Sequence, residues 1–290
     1  MKALIVGAGG QVGRALVAAR PAGIEVAALS HADLDIGDAT AVHARLQALA
    51  PDVVVNAAAY TAVDNAEKEP DAATRGNATG PLNLARAAKE LGKCRLLHVS
   101  TDFVFDGRRG TPYAPDSQTA PLGVYGKTKL EGEQQVIGSL GDRVVVLRTS
   151  WVYDAVGRNF MTTMLRLMNE RRTVRVVADQ VGTPTSAHSV AEALWRFAGN
   201  VNLSGTFHWS DAGVASWYDF AVAIAEEGTA LGLVPKDVQV TPIATEEYPT
   251  PAKRPGYSVL DKRATVAALG ISPPHWRVNL RSVLQGLAHE

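Results

Sequence analysis

Tyr125 and Lys129 stand four residues apart at the start of the helical stretch "VYGKTKLEGEQQV" (124–136). On a helix that spacing is about 6 Å along the axis and brings both side chains to one face. The residue types allow two readings. An ammonium beside a phenol favours the phenolate and draws the phenol toward a pKa at which it exchanges protons readily. The same pair is also an ordinary combination on a helix surface, and spacing alone does not separate the two.

A second stretch with chemical potential is "VGAGGQVG" (6–13), which ends an apolar run and opens a helical one. A G-x-G-x-x-G pattern from Gly7 and Gly9 fails because Val12 holds the last position. G-x-x-G-x-x-G is met by Gly7, Gly10 and Gly13. Glycine there permits positive φ, lets the backbone approach a diphosphate and lets the helix pack close to the strand. A tight turn with no ligand is the alternative. The place between first strand and first helix favours dinucleotide binding, with Gln11 and Val12 in the same loop. The next strand ends at Ser30 and His31, where an NAD-only site usually carries Asp or Glu. No acid there clamps a ribose 2′-hydroxyl, and no arginine awaits a 2′-phosphate, so NADPH and NADH are both allowed. Asp35 and Ile36, a few residues on, are better placed to border the adenine.

These residues need elements to position them. "KALIVGA" (2–8), "EVAALS" (25–30), "DVVVNAA" (52–58), "RLLHVST" (95–101) and "RVVVLRTS" (143–150) read as strands buried on both faces. Between them lie runs with helical apolar spacing: "QVGRALVAA", "ATAVHARLQALA", "DAATRGNATGPLNLARAAKELG" and "GKTKLEGEQQVIGS". Strand and helix in alternation predict an α/β fold with a doubly wound parallel sheet, Rossmann-like. After residue 150 the pattern loosens: helices at 159–172, 189–199 and 217–232, a late strand at "TFHWS" (206–210), and a Pro-rich stretch at 248–270. The expected division is a dinucleotide-binding domain at 1–150 plus about 188–210. A smaller, discontinuous α/β substrate lobe takes 151–187 and 211–290, over the C-terminal edges of the strands, where open α/β sheets bind ligands.

Bulk properties narrow the function class. With 29 Lys+Arg against 29 Asp+Glu, the net charge of zero gives no electrostatic case for nucleic acid or an acidic membrane. The one cysteine, Cys94, lies in an apolar run and reads as a structural thiol; no Cys/His spacing suggests a metal. The four apolar residues before Gly7 are too few for a signal segment, and no run reaches membrane length, which predicts a cytoplasmic protein. A homodimer is compatible with the sequence, but no stretch specifies one.

The glycine loop, "NAAAYTAVD" (56–64), "STDFVF" (100–105) and "YGKTK" (125–129) occur in order at strand ends. Together they resemble the extended short-chain dehydrogenase/reductase superfamily. With "RTSWVY", "DQVGTPTS" and "RPGYSVLD", which carry the likeness to about residue 285, they resemble its dTDP-4-dehydrorhamnose reductase family. The resemblance implies NADPH or NADH as cofactor and a dTDP-sugar as substrate, reduced at its 4-keto group. It makes Tyr125 the proton donor, Lys129 the group that tunes it and holds the nicotinamide ribose, and Thr101 the hydroxyl on the reacting oxygen. Ala58, Ala59 and Tyr60 would line the cofactor. One departure is Phe103, where many members have tyrosine.

Related chemistries fit less well. Dehydratases of this superfamily resemble "TDE" at the strand tip, whereas the triplet here is Thr101-Asp102-Phe103. Epimerase-reductases use a cysteine, and Cys94 lies inside a strand. The regulatory subunit of methionine adenosyltransferase, a binding protein, resembles the chain through "YGKTK" and "GTFHWS" but lacks "RTSWVY" and "DQVGTPT". For the sugar nucleotide, the expected contacts are Thr101, Asp102, Trp151, Asn159, Phe160, Gln180 and Arg254. Trp151 offers a flat apolar face, or fills the core between lobes. Asn159 with Phe160 could receive the nucleotide, or Asn159 could be a plain N-cap. Asp102 could touch sugar hydroxyls or cap a loop, and Asp179 with Gln180 could edge the cleft or serve a turn. Arg254 suits a diphosphate, or is a solvated loop arginine. His188 and His208 read as satisfying local hydrogen bonds.

Overall fold

The computed structural model describes residues 1–288. The chain runs β1 (Lys2–Val6), α1 (Gln11–Ala18), β2 (Glu25–Leu29), α2 (Ala39–Leu49), β3 (Val53–Asn56), α3 (Gly80–Glu90), β4 (Arg95–Thr101), α4 (Val124–Leu140) and β5 (Val144–Thr149). It continues α5 (Phe160–Glu170), β6 (Thr173–Val177), α6 (Ala187–Gly199), β7 (Gly205–His208), α7 (Trp217–Ala230), β8 (Gln239–Ile243), α8 (Arg263–Leu269) and α9 (Trp276–Ala288). Several shorter turns and two-residue strands lie between.

Six strands form one parallel sheet in the order β7-β5-β4-β3-β1-β2. The chain winds outward from β1 in both directions, so a crevice opens where β1 meets β3. Alternation along each strand divides the core. Ala3, Ile5, Val53 and Val55 pack with α1 and α6 on one face; Leu4, Val6 and Val54 pack with α2, α3 and α4 on the other. Strands β3, β4 and β5 are buried along almost their whole length, as continuous apolar runs require. β2 is not: Glu25 and Ala28 are exposed and the other three residues half-buried, because β2 is the sheet's edge.

The run 71–92 is not one regular helix. Pro70–Thr74 leads into a π turn at Arg75–Thr79 before α3 begins. Close neighbours accompany the distortion. A Cβ at Gly80 would lie 2.5 Å from Ile36 Cδ1, and one at Gly132 of α4 only 2.1 Å from the Asn77 carbonyl oxygen.

The smaller lobe pairs β6 with β8 in parallel and packs α5, α7 and α9 around Tyr153, Phe220 and Trp276. One segment crosses the division drawn from sequence. Val266, Leu269 and Ile271 pack against the sheet core instead of the lobe, because α8 lies beside β7 and α6.

Candidate active site

The glycine loop leaves the tip of β1 with Gly7 at φ +78°, and a Cβ there would lie 2.5 Å from the Ala58 nitrogen. At Gly13 a Cβ would lie 2.2 Å from the Gly7 oxygen. These two glycines therefore let the loop, α1 and the segment after β3 close on one another. Gly10, the N-cap of α1, provides no side-chain cap, so the first N–H groups at Gln11, Val12 and Gly13 stay open for an anion. This uncapped helix start beside Ala58 fits the diphosphate of a dinucleotide. Ser30 is turned to Asp33, whose carboxylate takes both its N–H (2.9 Å) and its hydroxyl (2.6 Å). Asp35 is held by Arg75 at 2.7 Å and by the Gly37 N–H, so its carboxylate is already engaged. The Ile36 side chain is core, 5% exposed.

Tyr125 opens α4, half-buried, with the Phe103 ring edge-on at 5.5 Å. Lys129 lies one turn on, 2% exposed, and donates to the Val99 carbonyl at 2.7 Å. That uses one of three ammonium donors and leaves two. The sequence expectation that Lys129 pulls the phenol down is not met. Burial dominates and pushes Tyr125 up to about 12; the Thr101 hydroxyl works against this, and the Asp102 charge adds to it. Burial brings Lys129 down to about 8, partly resisted by Glu133. Burial therefore favours the protonated phenol. Thr101, at the tip of β4, donates to Asp102 Oδ1 at 3.1 Å and accepts from the Phe103 N–H at 3.2 Å.

The lobe closes a narrow cleft lined by Phe103, Trp151, Gln180, Trp217, Arg254 and Ser258. Trp151 stacks on Trp217 with centroids 3.5 Å apart and planes 5° from parallel. Its backbone is left-handed, φ +48°, and its ring lies close against Gly182. Gln180 receives the Trp217 indole N–H at 3.2 Å and donates to Thr245, which Asp179 also holds.

Three expected substrate contacts carry other duties. Asn159 caps α5 by accepting the Thr162 N–H, and its amide donates to Gln11 Oε1 (2.9 Å) and the Asp154 carbonyl (2.8 Å). That saturates its donors. Phe160 packs with Trp217 and Phe220 inside the lobe. Arg254 forks onto Asp64 at 2.8 and 3.1 Å, clamping the Pro-rich loop to the segment after β3. It keeps a cleft position, but its guanidinium is already paired.

A family model described as RmlD substrate binding domain matches residues 1–289. The chain belongs to this family. Relatives named dTDP-4-dehydrorhamnose reductase include that of Aggregatibacter actinomycetemcomitans, 40% identical over 287 residues and 97% of each chain. The Bacillus subtilis spore coat polysaccharide biosynthesis protein SpsK is 41% identical over 285 residues, 98% of this chain and 97% of its own. Among solved structures, the Clostridium acetobutylicum dTDP-4-dehydrorhamnose reductase superposes with a TM-score of 0.92 at 40% identity, covering 99% of both chains. The Bacillus anthracis enzyme, in complex with NADP, gives 0.91 at 34% identity, covering 98% of this chain and 99% of its own. The Thermus thermophilus UDP-glucose 4-epimerase, at 22% identity and TM-score 0.80, shares the fold.

Behind Tyr125 and Lys129 lie buried polar ties that sequence reading passed over. Asn77, fully buried in the π turn, bonds the Tyr60 N–H and carbonyl and reaches Thr128 of α4 at 3.1 Å. It thereby ties the loop bearing Ala58, Ala59 and Tyr60 to the helix bearing Tyr125. An asparagine between two glycines in a helical run was the available signal. Glu133 lies two turns past Tyr125 and forms a buried pair with Arg148 at 2.7 Å, also accepting from Ser100. Its i+8 position from Tyr125 was readable; its partner on β5 was not. Trp217 was visible only as a helix residue. His208 is buried against Tyr113 and Arg148, with burial lowering its pKa to about 3. His188 is exposed, 3.9 Å from Asp154. Cys94 is buried, and burial raises its thiol to about 12.

Proposed function

We propose that this chain reduces the 4-keto group of dTDP-4-dehydro-β-L-rhamnose to dTDP-β-L-rhamnose, using NADPH or NADH. The observation that carries the reading is Tyr125, one turn from a buried Lys129 and with its ring against Phe103 of the cleft wall, in a member of this family. When bound, the reduced nicotinamide supplies the hydride to sugar C4. The residues do the rest. The N–H groups of Gln11, Val12 and Gly13 hold the cofactor diphosphate, and Lys129 holds the nicotinamide ribose. Tyr125 gives its proton to the oxygen as negative charge develops there. Thr101 orients that oxygen, while the stacked Trp151 and Trp217 form an apolar wall of the cleft that excludes water.

The same reading places the protein in the cytoplasm, with no nucleic-acid or membrane partner and with scope for a homodimer. Among the described residues, no helix is long and apolar enough to cross a membrane.

Purified protein incubated with the keto-sugar nucleotide and NADPH or NADH should oxidise the nicotinamide, followed by absorbance, and yield a dTDP-deoxyhexose reduced at C4. The ratio of rates with the two cofactors reads the preference. Tight cofactor binding without turnover would replace the reductase with a binding-subunit role.

A further inference from the structure

Thr101 has a hydrogen-bond inventory that does not match its task. A hydroxyl has one donor and two acceptor positions. The donor is directed to Asp102 Oδ1, and the Phe103 N–H takes one lone pair. One lone pair remains. It suits the Tyr125 hydroxyl but offers no proton to a ketone oxygen. Asp102 is the complementary anomaly. It is 2% exposed, and its Oδ2 is buried with no partner. Ser258, buried beside it in the cleft wall, favours the charged form without completing a bond to Oδ2. An ionised carboxylate with an empty buried oxygen is costly; protonation removes that charge and, on Oδ1, gives the carboxyl a donor that faces Thr101.

We propose that Asp102 is a positioning residue whose protonation reverses its hydrogen bond with Thr101, so that Thr101 donates to the substrate's keto oxygen only while Asp102 is neutral. This rests on the reductase reading. With Asp102 ionised, Thr101 gives its proton to the carboxylate and can only accept. With Asp102 protonated, the carboxyl O–H donates to Thr101 Oγ1, and the Thr101 proton turns to the ketone. No proton leaves Asp102 in the cycle; Tyr125 alone supplies the one that stays on product. The groups facing Asp102 are few: Tyr125 from α4, Thr101 on its own segment and Ser258 from the Pro-rich segment. The nearby cations are turned elsewhere, Lys129 to Val99 and Arg254 to Asp64. Burial raises the Asp102 carboxyl to about 6, which puts the switch within reach of measurement.

The test is kcat/KM against pH, from about 5 to about 8, for wild type, Asp102→Asn and Thr101→Val. Wild type should lose roughly 10²-fold as pH rises through the Asp102 transition, the scale of one donor to the reacting oxygen. Asp102→Asn should lose the inflection, because its amide N–H donates to Thr101 at every pH. Thr101→Val should be uniformly slow and equally flat. A wild-type inflection that survives in either variant overturns the proposal, as does a flat wild-type profile with normal turnover. Absence of turnover at every pH overturns the reductase reading itself, and the switch with it. If Asp102→Asn does not fold, the Thr101→Val profile decides alone.

Discussion

At the residue scale, the tyrosine and lysine were legible because their spacing is local, while their protonation was not. The direction of the Tyr125 shift depends on burial under Phe103 and on Asp102, neither of which spacing reveals. On the proposed reading, Lys129 serves through its remaining donors more than through its charge on the phenol. Lys129→Ala should therefore raise the cofactor Kd roughly tenfold by titration calorimetry, since charge-assisted bonds to ribose are lost. An unchanged Kd would remove the ribose contact. Asp102 makes a stability prediction with a definite sign. Its folded pKa, about 6, lies above the unfolded value of about 3.9. Its contribution is therefore full below the unfolded pKa and is lost as pH rises through about 6. Asp102→Asn should melt higher than wild type at alkaline pH, by the equivalent of about 2–3 kcal/mol at most, and the gap should shrink toward pH 4. A gap independent of pH would contradict the raised carboxyl.

At the element scale, periodicity located the strands and most helices, since apolar runs and 3.6-residue spacing are written in consecutive residues. The π turn at Arg75–Thr79 was not readable, because the neighbours crowding it, Ile36 and Gly132, come from distant sequence. The glycine loop was readable as a pattern, and the structure supplies the reason for Gly7 and Gly13. A methyl at Gly13 meets the Gly7 carbonyl, so Gly13→Ala should weaken cofactor binding at least roughly tenfold, with the fold retained by circular dichroism. α4 makes a separate prediction. Glu133→Ala leaves Arg148 charged and buried, which should cost about 3–5 kcal/mol in denaturant unfolding. Adding Arg148→Met should recover much of the loss; failure to recover would show that the pair is not what Glu133 contributes.

At the scale of the whole molecule, the lobe and the sheet domain meet through a few polar ties across the glycine loop and the cleft. Arg14 reaches the Val156 carbonyl, Gln11 the Asn159 amide, and Arg254 Asp64. Sequence marked Asn159 and Arg254 as candidate ligand contacts because polar residues near a cleft look alike whether they meet substrate or one another. Only the fold shows that Asn159 has no donor left to offer. The aromatic wall had the same limit: Trp151 was legible as a motif residue, while its partner Trp217 lies 66 positions away and became visible only through the stack. The central claim, however, rests on Tyr125 as the acid of a ketone reduction in this assembled cleft. The decisive measurement is single-turnover nicotinamide oxidation by Tyr125→Phe with the keto-sugar nucleotide, beside its cofactor Kd. The account predicts a loss of roughly 10²- to 10⁴-fold in rate with the Kd within about twofold of wild type. A wild-type rate in Tyr125→Phe would contradict it.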